Sequence, residues 1–108
     1  MPKYLLVESH DPFENEDVRN LYDLATSLAR DANRVTLYLT HDGVRAARAG
    51  EHTFWFVALA RVGVEVLADG RSLRDRGLTP EQLSPGVLPT GAETLVERLA
   101  EGRRTIWH

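Results

Sequence analysis

No cysteine occurs anywhere in these 108 residues. That absence removes disulfides, thiolate metal sites and every cysteine nucleophile at once. Lysine is nearly missing as well: Lys3 stands alone among the 13 Lys and Arg residues. The arginines are interspersed with acids, the net charge is −3 and the isoelectric point is near 5.8, so there is no sustained positive face for a phosphate backbone. Nucleic acid is not an expected partner. Long apolar runs are absent too. The longest covers residues 54–60, far short of the roughly 20 residues a membrane-spanning helix needs. The opening stretch MPKYLLVESHDPFENED turns acidic after four apolar residues, unlike a signal peptide. A cytoplasmic location without membrane contact is therefore expected.

What remains is an ordinary globular composition, 43% apolar and 27% charged, at the size of one domain spanning 1–108. Tyr4 to Val7 is a short continuous apolar run, the pattern of a strand covered on both faces. From Asn15, the positions Val18, Leu21, Tyr22, Ala25, Leu28 and Ala29 recur at spacings of three and four, which predicts an amphipathic helix. RVTLYL (34–39) and VEVLA (64–68) predict the second and third strands. Between them, residues 44–62 read as a helix broken at Gly50. Thr79-Pro80-Glu81-Gln82 carries a cap, an N1 proline and a reciprocal glutamine, and Thr90-Gly91-Ala92-Glu93 repeats the signal before Leu95, Val96 and Leu99. RTIW (104–107) predicts a last strand, with Val87-Leu88 a short one before the second box. Strands alternating with helices imply a three-layer α/β/α sandwich around a mostly parallel sheet of about five strands.

In such a sheet, ligands gather outside the carboxyl ends of the strands. The turns there supply Ser9 and His10 after strand one, Thr40 and His41 after strand two, and Asp69, Gly70 and Ser72 after strand three. These are the candidate pocket residues. Two histidines and a carboxylate could in principle hold a metal, but none stands at a diagnostic spacing, so no metal set is assigned. Serine hydrolysis lacks a G-x-S-x-G elbow, and the acidic loop Ser9–Glu14 would repel a nucleotide or flavin phosphate, so no cofactor is expected. A receiver-type phosphoacceptor role for Asp69 fails for want of an acidic pair after strand one and a lysine after the last strand. Three consecutive aromatics, Phe54, Trp55 and Phe56, cannot all face one core from a helix. With Trp107 they are candidates for a subunit interface. Arg71, Arg74 and Arg76 read as a solvated face answering Asp69, Asp75 and Glu81.

The order of these features resembles the DsrE/DsrF-like family, which includes the Tus-type sulfur-relay subunits. The resemblance covers nearly the whole chain and is most specific over GVEVLADGRSLRDRGLTPEQLSPGV, through Arg76-Gly77, Thr79, Leu83 and Pro85-Gly86-Val87. It implies a flavodoxin-like five-stranded sheet and assembly into dimers, trimers or hexamers, including hetero-oligomers with a thiol-bearing relative. It also implies a persulfide-carrying cysteine just after strand three. Here that position falls at or beside Asp69, which cannot hold sulfane sulfur because persulfide formation needs a thiolate. The leading expectation is a non-catalytic DsrE-like oligomeric subunit or accessory protein. The alternatives are a small-ligand or metal-binding protein using His10, His41 and Asp69, and an enzyme with Asp69 as general base, which would require its pKa to rise through burial.

Overall fold

The computed structural model describes residues 2–108. Five strands, β1 (Lys3–Glu8), β2 (Arg34–Leu39), β3 (Glu65–Asp69), β4 (Val87–Thr90) and β5 (Arg104–Trp107), form one sheet in the order β4-β3-β2-β1-β5, with every pairing parallel. Four α-helices join them: α1 (Asp17–Arg30), α2 (Thr53–Arg61), α3 (Gly70–Asp75) and α4 (Ala92–Ala100). Short 3-10 helices occupy His41–Ala47 and Pro80–Gln82.

The strand order dictates the layers. From β1 to β4 each connection steps one strand toward the same edge, so right-handed crossovers put α1, α2 and α3 on one face. The last connection returns across the whole sheet to the far side of β1, and the same handedness sends α4 alone to the opposite face. The two faces are unequal in consequence. Under α1, α2 and α3 lies the main core, including Leu6, Leu37, Leu39, Val66 and Ala68 from the strands with Val18, Tyr22, Phe56 and Leu73 from the helices. On the other face Leu5, Val7, Tyr38 and Leu67 make a small cluster against which α4 packs only Leu95.

Local sequence accounts for the elements. In α1 the predicted apolar stripe is the buried one, with Val18, Leu21, Tyr22 and Ala25 inward. The expected break at Gly50 separates the 3-10 turn at 41–47 from α2, and in α2 only Phe56 and Leu59 are fully buried. Gln82 Oε1 accepts the Thr79 N–H at 2.9 Å, as the first capping box predicts. The second box does not form. Thr90 closes β4, Gly91 stands at the helix cap without a side-chain bond, and the Thr90 hydroxyl turns to Thr94. Parallel pairing of Asp69 with Thr90 draws Thr90 into the ladder and away from a cap position.

Candidate functional site

The carboxyl edge of the sheet carries two separate polar clusters, built by different strands and facing different sides. Asp69 organises the first. Its side chain caps α3, with Oδ2 accepting the Ser72 N–H at 3.0 Å and the Ser72 hydroxyl at 2.6 Å. Oδ1 accepts the Tyr38 hydroxyl from β2 at 3.1 Å. Ser72 Oγ in turn accepts the His41 N–H at 2.9 Å and lies 3.4 Å from the Thr40 hydroxyl. Burial alone would raise the Asp69 pKa, but the Ser72 and Tyr38 hydrogen bonds and the nearby His41 outweigh it and hold the carboxyl below its ordinary value. A general base near neutral pH needs the opposite shift, so Asp69 as found is an ionised helix cap. The Tyr38 phenol is pushed up by burial and by the Asp69 charge, which fixes it as the donor. Gly70 lies close under the Thr90 carbonyl oxygen, and Arg76 leaves the solvated face expected of it to pair with Asp42 at 3.0 Å.

The second cluster is centred on Glu8, whose side chain is completely buried at the end of β1. His108, directly after β5, places Nδ1 2.8 Å and 2.9 Å from the two Glu8 oxygens. His10 donates its backbone N–H to Glu8 Oε2 at 3.0 Å and brings Nδ1 to 3.5 Å from the same oxygen. The imidazole rings of His10 and His108 lie 4.6 Å apart, tilted by 44°. Ser9 holds the strand ends together, its N–H and hydroxyl both donating to the His108 carbonyl at 2.8 Å. Gly43 is needed here, because a Cβ at that position would collide with the Glu8 carbonyl oxygen.

The expected pocket of Ser9, His10, Thr40, His41, Asp69, Gly70 and Ser72 is therefore divided. Thr40, His41, Asp69 and Ser72 are brought together, while Ser9 and His10 belong to the Glu8 cluster. His10, His41 and Asp69 do not converge on one point. Sequence reasoning missed Glu8, which reads as the last residue of an apolar strand, and His108, which meets it only because β5 pairs with β1.

Of the interface candidates, Phe56 is corrected. Its ring is fully buried against Tyr22 and offers nothing to a partner. Trp55 is half-buried, stacked on His52 with Arg19 over its ring. Phe54 and Trp107 are 69% and 60% exposed.

The architecture and the sequence agree on relatives. The model of the DsrE/DsrF-like family matches residues 2–108. The chain belongs to this family. Solved structures sharing the fold include the ychN protein of E. coli, with a TM-score of 0.92 at 20% identity, and the MTH1491 protein of Methanobacterium thermoautotrophicum, with 0.87 at 24%, each covering 100% of both chains. The BT1422 protein of Bacteroides thetaiotaomicron matches with a TM-score of 0.80 at 16% identity, over 98% of this chain and 94% of that one. No curated protein matches the sequence. Among the described residues no helix is long and apolar enough to cross a membrane.

Proposed function

We propose that this DsrE/DsrF-like chain works as an oligomeric subunit or accessory protein that carries no persulfide itself, assembling with copies of itself or with a thiol-bearing relative. The observation that carries the reading is the turn after β3, where the resemblance puts the family's cysteine. There, in place of a thiolate, the Asp69 carboxylate takes three hydrogen bonds from Tyr38 and Ser72 and caps α3. The thinly covered sheet face supports an assembly role. Beside α4, Leu88, Val96 and Trp107 are each about 60% exposed, and Leu99 about 40%. Register puts Leu88 level with Leu67 and Trp107 level with Val7, so both side chains stand on the face that α4 covers only in part. Apolar surface of that extent around a single helix suits a subunit contact.

Light scattering on the purified chain, with Trp107→Glu and Val96→Glu variants beside it, tests this. Assembly through the α4 face requires a multimer that both substitutions dissociate into folded monomers. A multimer of unchanged mass in both variants rules that face out.

A further inference from the structure

The buried Glu8 carboxylate presents an anomaly of charge. The chain has twelve arginines and one lysine, yet among the described residues the basic side chains within 4.0 Å of the Glu8 carboxyl are the imidazoles of His10 and His108 and no arginine or lysine. A carboxylate taken wholly out of water needs a positive partner or a full set of donors. The three groups also stand where the fold concentrates ligands. From β1 the chain proceeds to β2 on one side, while β5 arrives on the other, so the carboxyl ends of β1 and β5 flank the point where strand order reverses. Glu8 ends β1, His10 follows it by two residues, and His108 follows β5.

We infer that Glu8, His10 and His108 form a binding site for a divalent first-row transition ion, zinc by preference. One ligand atom from each residue lies within 4.8 Å of the others, and Glu8 Oε2 stands 2.9 Å from His108 Nδ1 and 3.5 Å from His10 Nδ1. Donors bound at zinc distances to a tetrahedral ion stand roughly 3.3 Å apart, so closing on a metal needs only small rotations of the two rings. Two imidazoles with one carboxylate are a borderline donor set, which favours zinc, cobalt or nickel over calcium or magnesium. Three protein ligands leave a fourth position for water or a small ligand. Neighbours suit the role. Gly43 lets the loop after β2 press on the Glu8 backbone, and Ser9 ties the His108 main chain to β1, so the carboxylate and one imidazole are held on sheet backbone rather than on a mobile loop. On the same face Tyr22 has a buried hydroxyl with no hydrogen-bond partner among the described residues. This site is distinct from the Asp69 turn and does not depend on the assembly reading.

Equilibrium dialysis of the chain without a polyhistidine tag against zinc, and against cobalt for its ligand-field spectrum, tests the inference. One equivalent per chain should be retained, with a tetrahedral cobalt spectrum. His10→Ala and His108→Ala should each weaken binding at least tenfold, while His41→Ala and His52→Ala leave it unchanged. His10 is half-exposed, so its variant is expected to fold normally, as circular dichroism would verify, even if Glu8→Gln does not. Absence of zinc retention by the wild type at micromolar metal overturns the site, and so does retention that survives both His10→Ala and His108→Ala.

Discussion

The hydroxyl of Tyr38 on β2 donates to the carboxylate of Asp69 at the end of β3, at 3.1 Å, so two adjacent strands and the cap of α3 share one carboxylate. Replacing Tyr38 by Phe removes a bond to a charged group while keeping the ring in its cluster with Leu5, Val7 and Leu67. The expected loss is about 1.5–3 kcal/mol, read as a lower urea midpoint with an unchanged slope.

Asp69 also makes stability depend on acid. Its native pKa is depressed below the ordinary 3.8, so the ionised form stabilises the fold above that value, and the contribution is lost as pH falls through the lower native value. Urea titrations between about pH 2 and 6 should show Asp69→Asn less stable than wild type at the upper end, with the gap narrowing toward the lower. A gap constant across the range would mean that the charge contributes nothing.

On the opposite edge, Arg98 of α4 grips Glu65 of β3 with Nε and Nη2 at 2.9 and 3.0 Å, while the Thr36 hydroxyl donates to the same carboxylate at 2.7 Å. This fork is the main polar tie between α4 and the sheet. Arg98→Met should cost roughly 1–3 kcal/mol, and a double-mutant cycle with Glu65→Gln should return most of that as coupling energy.

Phe54 and Phe56 are two residues apart on α2 and should respond oppositely. Phe56→Ala empties a fully buried site and is expected to cost about 3–5 kcal/mol. Phe54→Ala, at 69% exposure, should fall within about 0.5 kcal/mol of wild type in a chemical denaturation series.

Much of this fold is written in local pattern. The spacing of Val18, Leu21, Tyr22 and Ala25 determines both the existence of α1 and its buried side, and the apolar runs of β1, β2 and β3 state that both sheet faces are covered. The residues of the turn after β3 were legible as pocket candidates, though not the cap by which Asp69 opens α3. Two further features were not. The Glu8–His108 contact joins residues 100 apart and exists only because β5 pairs with β1, a choice of strand order that no local signal encodes. Which of Phe54, Trp55 and Phe56 points inward depends on the phase of a nine-residue helix that is apolar nearly all round, and only packing against Tyr22 resolves it.

Native mass spectrometry of the chain isolated gently from its own cells measures the central claim most directly. A mass at a small multiple of 12.1 kDa, or one that includes a cysteine-bearing DsrE-like relative, is the predicted result. A lone 12.1 kDa monomer at micromolar concentration, pairing with no relative, would contradict the subunit role.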